Sequence, residues 1–246
     1  MSLSLQVVRG VVLSSTLITA IAFNLSLAVA ERPKPPDTGT PSGNTTPGTT
    51  RPETACPETA KPLTAIFANQ GQDFTVAEYP TFLFYIPYTP QQISEIEFLI
   101  LNETQTKTIY HSSIKLSDRP GIIKLKLPPE TLNSLQVNNT YHWRFNLDCQ
   151  PDNTIAPDLV LKGWIRRIAT NAQLEKELNL AQDREYLVYQ NHSIWYDAIA
   201  HLAELHFTNL NNSQLTQAWH DTLKSIKLDW VIAEPLVDSE SELVKL

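Results

Sequence analysis

The sequence predicts an α+β protein: an antiparallel β-sandwich over residues 56–168, followed by a C-terminal helical hairpin within 169–232. Three observations carry this reading. In Tyr141-His142-Trp143-Arg144-Phe145-Asn146-Leu147-Asp148-Cys149 the odd positions are aromatic, aliphatic or cysteine and the even positions are polar. That is the period of a strand with one buried face. Further runs of this kind lie between Pro62 and Arg167, with turn signals at 87–90, 118–121 and 128–129. From Asn171 the apolar period lengthens to that of a helix.

Ahead of the sandwich, Arg9 precedes an uncharged stretch, 11–29, that ends in Ala28-Val29-Ala30. A positive start, an apolar middle and a small-x-small end predict a signal peptide over 1–30, cleaved after Ala30. The run also approaches the roughly 20 apolar residues that span a bilayer, so a retained anchor is the alternative. Ser14, Ser15, Thr16, Thr19, Asn24 and Ser26 dilute it and favour the cleaved signal, with no membrane insertion afterwards. Residues 31–55 are Pro, Thr, Gly and Ser with few apolar side chains, and read as a disordered linker ending at Cys56.

The first strand is expected at 63–67. Thr81-Phe82-Leu83-Phe84-Tyr85-Ile86 is apolar on both faces and reads as a central strand. Ile96, Phe98 and Ile100 share one face of the next strand, against which 107–116 returns. Over 122–127, Ile123, Leu125 and Leu127 point inward while Lys124 and Lys126 point out. The 141–149 strand follows, and 159–168, with Trp164, is the last. Some seven short strands at this spacing suggest two packed sheets. Leu135…Thr140-Tyr141-His142-Trp143 resembles the approach to strand F in fibronectin type III and related immunoglobulin-like domains. The resemblance implies that Tyr141 is a tyrosine corner, bonded back across the preceding loop. Tyr141, Trp143, Trp164 and Trp195 are expected to be structural.

In the helical part, Leu174, Leu178 and Ala181 mark a first helix, and 184–191 continues with Leu187, Val188 and Tyr189. Ala198, Ile199, Leu202 and Leu205 form one apolar stripe, and Leu215, Trp219, Leu223 and Ile226 another, with Asn211-Asn212-Ser213 as the N-cap before it. Asn191-His192-Ser193-Ile194-Trp195-Tyr196-Asp197-Ala198-Ile199 resembles the inter-helix turn of a tetratricopeptide repeat. His192 and Ser193 occupy a turn where glycine would be easier. One unit is no array, since about three repeats make a stable solenoid. A tetratricopeptide-like hairpin packed on the sandwich is therefore expected. The acidic tail, 233–246, is expected to be loose.

The totals exclude more chemistry than they suggest. Net charge is −7, and no basic cluster exceeds Arg166-Arg167, which argues against nucleic acid and anionic lipid as partners. Of seven glycines, only Gly71, Gly121 and Gly163 fall in the predicted folded part. There is no G-x-G-x-x-G, no G-x-x-x-x-G-K-[ST] and no G-x-S-x-G. The two cysteines, Cys56 and Cys149, read as one disulfide in an exported protein, with two free buried thiols as the alternative. They lack the histidine spacing of a structural zinc site. No cofactor is expected.

Four constellations remain. Asp197, His201 and Glu204 lie on one helical face and have metal-ligand chemistry, although an exposed ion-paired face explains them equally. His142 and Arg144 project from the outer face of the 141–149 strand and are a candidate binding surface, against a plain solvated face. Asp73 and Glu78 are candidate paired carboxylates, which would need perturbed pKa values in a cleft. Phe82, Phe84, Tyr85 and Tyr88 are either a sugar or peptide groove or core. Asn102, Asn138 and Asn191 head Asn-x-Ser/Thr sites that matter only in a eukaryotic secretory route.

Several segments together resemble a cyanobacterial family of unknown function, domain-of-unknown-function family 928. They are Val76-Ala77-Glu78-Tyr79-Pro80-Thr81-Phe82 with the strand and Pro87-Tyr88 after it, Pro120-Gly121-Ile122-Ile123, Tyr141-His142-Trp143-Arg144-Phe145 with Cys149, Gly163-Trp164-Ile165-Arg166-Arg167, and Ile194-Trp195-Tyr196-Asp197-Ala198. The likeness covers roughly 56–230. It implies an exported cyanobacterial protein and supplies no activity, ligand or catalytic residue. The functional expectation is a non-enzymatic envelope protein, periplasmic or extracellular, that binds an envelope protein. The alternatives are a module for cell-wall or exported polysaccharide that uses exposed aromatics, and a hydrolase with a non-standard site.

Overall fold

The computed structural model describes residues 56–68, 73–117, 119–129, 134–149 and 157–244. The signal and linker readings lie outside these residues. Among those described, nine strands and four α-helices follow one another along the chain. The strands before the helices are β1 (Thr64–Ala65), β2 (Phe74–Thr75), β3 (Thr81–Ile86), β4 (Glu95–Asn102), β5 (Thr108–Leu116), β6 (Gly121–Lys126), β7 (Thr140–Asp148) and β8 (Leu159–Arg167). Then come α1 (Ala172–Ala181), α2 (Glu185–Asn191), α3 (Trp195–Thr208), α4 (Ser213–Ser225) and a last strand, β9 (Ser239–Leu243).

The strands form two sheets, β1-β3-β6 and β2-β8-β7-β4-β5-β9. All pairings are antiparallel except β2 with β8. The expected α+β, largely antiparallel architecture is therefore present. Alternation places Tyr141, Trp143, Phe145 and Leu147 of β7 on one buried face, beside Ile96, Phe98 and Ile100 of β4. Opposite them, β3 contributes Phe82 and Phe84, paired across to Leu125 and Ile123 of β6. Aromatic rings join the two layers: Phe84 lies 4.4 Å from Phe145 and 5.6 Å from Trp143, and Phe82 lies 4.9 Å from Phe98. Such contacts contribute beyond area burial. Gly163 of β8 faces Trp143, and a Cβ there would sit 2.2 Å from the indole. The missing side chain makes the space that the ring fills.

Cys56 and Cys149 form the disulfide, with Cα atoms 5.0 Å apart and a sequence separation of 93. The reading with free thiols is thereby set aside. In the chain-entropy account, a loop of this length gains about 4–5 kcal/mol from closure. The Tyr141 hydroxyl accepts a hydrogen bond from the Gln136 N–H at 2.8 Å, reaching back across the preceding loop.

The helices begin where the sequence places them. Asn171 and Asn212 cap α1 and α4, each accepting from backbone N–H groups with its side chain. The turn between α2 and α3 puts Ser193 at φ 59°, the left-handed region in which glycine would be easier. Four α-helices rather than two fill the region. α3 packs against β2 and β3, with Tyr196 5.2 Å from the Phe82 ring.

Of three further features, only the last departs from the sequence reading. Trp164 is buried, but it lies opposite His142 on the face of the large sheet away from Trp143, edge-on to Phe74 at 5.9 Å. Leu83, Tyr85 and Ile122, on the far side of the small sheet, are buried too. Trp230 packs edge-on to Tyr85, and the 235–237 backbone bonds Ile122 on both sides. The acidic tail is not loose over its described part: it runs along Ile122 and then forms β9 on the edge of β5. Its acidic and serine side chains carry no apolar alternation, which is why the strand is silent in sequence.

Candidate functional site

β7 positions His142 and Arg144 on the outer face of the large sheet, as its alternation requires. Burial lowers the His142 pKa below its usual value, partly offset by Glu103. Arg144 Nη2 donates to Gln105 Oε1 at 2.9 Å, and its buried Nε has no hydrogen-bond partner. Next to them, Glu97 bonds His111 Nε2 at 2.7 Å and accepts from Asn146 Nδ2 at 3.3 Å. Most polar groups on this face are thus engaged across strands. The unpartnered Arg144 N–H is thus buried beneath the face, and Lys162 of β8 stands directly opposite Arg144.

The other constellations separate. The Asp197 carboxylate turns to the end of β2, where the Thr75 hydroxyl and the Val76 N–H bond it, while the Ala77 N–H donates to Thr75 Oγ1. Burial nevertheless pushes its pKa up to about 6. His201 Nε2 instead meets Glu185 at 3.4 Å, and Glu204 pairs with Lys124 of β6. The helical spacing that put these three on one face does not make them converge. Among the described residues, the one trio of metal-type ligand atoms lying close together is Cys56, Cys149 and Asp158. Both sulfurs are spent in the disulfide, and Asp158 accepts from the Cys149 N–H at 3.0 Å.

Asp73 and Glu78 do not pair either. Asp73 is fully buried, while Glu78 is exposed and lies 3.4 Å from Arg167. Asp73 belongs to a buried polar junction that sequence reasoning missed. Trp143 Nε1 donates to the Tyr196 hydroxyl at 2.7 Å, which donates in turn to the Trp164 carbonyl at 2.9 Å. Burial, with the Asp73 charge adding to it, holds the Tyr196 hydroxyl well above its usual pKa. The chain positions 73, 143, 164 and 196 share no local signal. The junction locks α3 to the large sheet and offers no open cleft.

Phe82, Phe84, Tyr85 and Tyr88 are core, each no more than 5% exposed. Among the described residues, the exposed large hydrophobics are all aliphatic, and Leu180, Leu187 and Leu210 of the helical region are the most open of the leucines beside Leu243. Leu187 lines a groove of about 480 Å³ between α2 and α4. Tyr186 and Ala218 are its other apolar members, and Gln190, Gln214, Gln217 and Asp221 are among the polar ones. Gln190 Nε2 donates to Thr222 Oγ1 at 3.0 Å and ties the two helices together at the groove. Neutral amides, each able to donate and accept, suit a peptide backbone better than a charged group. No helix among the described residues is long and apolar enough to cross a membrane.

A family model described as Domain of Unknown Function (DUF928) matches residues 46–236. No curated protein and no solved structure matches the chain.

Proposed function

We propose that this chain, which belongs to the DUF928 family, is an exported, non-enzymatic protein-interaction module of the cell envelope, and that it takes an extended segment of an envelope protein into the groove between α2 and α4. The single observation that carries this reading is the distribution of apolar surface. Every aromatic that was a candidate for a sugar platform lies in the core, while Leu187 stays 41% exposed among amide side chains in a groove. A polysaccharide module working through exposed aromatics lacks its carrier among the described residues. Export is supported by the N-terminal pattern ending at Ala30 and by a disulfide, a bond of oxidising compartments. The non-enzymatic reading is supported by the separate engagement of Asp197, His201, Glu204 and Glu78.

The same reading takes the two-sheet body as immunoglobulin/fibronectin III-like, supported by the back-bonded Tyr141. It takes α2–α3 as a single tetratricopeptide-like hairpin, supported by the tight turn at Ser193. Fold analogy alone is a weak warrant for function, so the test is at the surface. A C-terminally tagged chain is purified from gently solubilised envelopes, and co-eluting proteins are identified. Leu187→Asp and Ala218→Arg should each lower recovery of a reproducible partner at least tenfold, while His142→Ala with Arg144→Ala leaves it unchanged. A clean monomer without partner, or a partner indifferent to the groove variants, would sink the proposal.

A further inference from the structure

β9 is held to the molecule almost entirely by its backbone. It pairs antiparallel with β5 from Ser112↔Leu243 to Leu116↔Ser239. The ladder is extended at its ends by Ser117 N–H to Asp238 O at 3.2 Å and Val244 N–H to His111 O at 3.0 Å. Its side chains bury little: Glu240, Ser241, Glu242 and Leu243 are exposed and Ser239 is half-buried. The one ion pair, Lys115 with Glu242 at 3.1 Å, is open to solvent on both sides and therefore weak. Firm anchoring ends at Val237, which is buried and bonded to the Ile122 backbone, and Asp238 between them is exposed. β5 is the opposite case. Tyr110, Ser112 and Ile114 are buried, and β4 holds its other edge from Thr108 to Ser113. A rigid template thus carries a weakly held strand. The family match ends at residue 236, before β9 begins.

Register defines what the edge prefers. Ser239, Ser241 and Leu243 stand opposite Leu116, Ile114 and Ser112, on the inner face, whereas Glu240 and Glu242 stand opposite Lys115 and Ser113 on the outer face. Two of the three inner positions carry serine beside apolar neighbours. We propose that the β5 edge is a strand-addition site for an extended segment of another polypeptide that alternates apolar and acidic residues, with β9 as its resident occupant in the unbound chain. Exchange replaces one set of backbone hydrogen bonds by an equivalent set, so side chains decide the outcome. An apolar residue at the position of Ser241 would stand directly opposite the buried Ile114, and carboxylates beside Lys115 keep the charge match. This site is separate from the α2–α4 groove and does not depend on it.

The test compares the full chain with a chain ending at Val237, using a labelled synthetic peptide of residues 237–244 that carries Ser239→Val and Ser241→Val. Fluorescence anisotropy should show the peptide binding the shortened chain at least tenfold more tightly than the full chain. Glu240→Lys with Glu242→Lys in the peptide should weaken binding several-fold, and Glu242→Pro, which removes an N–H that the ladder turns toward β5, should abolish it. Leu187→Asp in the protein should leave it unchanged, which separates this result from the fate of the groove. A shortened chain that keeps its thermal transition but binds no peptide overturns the proposal. So does one that fails to fold, because β9 would then be structural rather than replaceable. A full chain that forms a dimer lost on shortening assigns the edge to a second copy, and equally overturns it.

Discussion

The indoles of Trp143, Trp195 and Trp219 divide the molecule into two kinds of packing. At the junction between the large sheet and α3, Trp143 Nε1 has a partner in Tyr196, and Tyr196 has one in the Trp164 carbonyl. In the helical layer, Trp195 and Trp219 are as well buried, yet neither indole N–H has a hydrogen-bond partner. Trp219 relies on rings instead, with His206 stacked at 5.6 Å and Phe207 edge-on at 5.5 Å. A directional hydrogen bond admits one placement of a helix, whereas ring packing tolerates small shifts. The junction is therefore the precise part of the molecule, and the outer helices, which carry the groove, are the adaptable part.

The largest effect expected from this contrast is at Tyr196. Tyr196→Phe keeps the ring but leaves the Trp143 N–H and the Trp164 carbonyl without this partner, at a cost of about 2–4 kcal/mol by equilibrium denaturation. A cost near zero would remove the junction from the argument. Next comes the paired substitution of the indoles. Trp143→Phe should lose about 2 kcal/mol or more, from a cavity and a broken hydrogen bond. Trp219→Phe also shortens a ring but removes a donor that has no partner, so it should cost about 1 kcal/mol less than Trp143→Phe. Equal costs would erase the distinction between the two regions.

A further effect is a dependence on pH. Burial raises Asp197 to about 6 in the folded chain from an ordinary value of 3.8. The folded state therefore holds the proton more tightly than the unfolded one. This contribution to stability is fully present below about pH 4, declines as pH rises through 6, and is flat above it. Asp197→Asn keeps an acceptor for the Val76 N–H and cannot titrate. Its melting temperature relative to the parent should rise between pH 4 and 7, and a constant difference across that range would remove Asp197 as the source.

The sequence was most readable where one physical constraint acted alone. β7 has one wet face and one dry face, so its strict alternation survives in the residues, and the apolar stripes of α3 and α4 are legible for the same reason. The facing of Trp164 has no signature in the sequence, because Trp164 and Ile165 are adjacent and both apolar. The strand's facing depends on Gly163 making room for Trp143, a fact of tertiary contact. β2 is two residues long, and β9 alternates serine with glutamate, so neither carries an apolar period. The Asp197–His201–Glu204 spacing correctly predicted a shared helix. It could not predict that Thr75, Glu185 and Lys124, each from a different element, would claim the three side chains. The groove went unread because amide and leucine side chains on two helices have no signature until the helices meet.

The disulfide also has a mechanical meaning. Cys149 follows directly on β7, which lies between β8 and β4 inside the large sheet. A pull applied from the N-terminal side of Cys56 would bypass β1 and load the end of β7. Force along that strand must shear two antiparallel ladders at once, rather than peel one edge open. If the chain is tethered by its N-terminal part while a partner pulls elsewhere, the covalent bridge delivers tension to the most resistant strand of the fold.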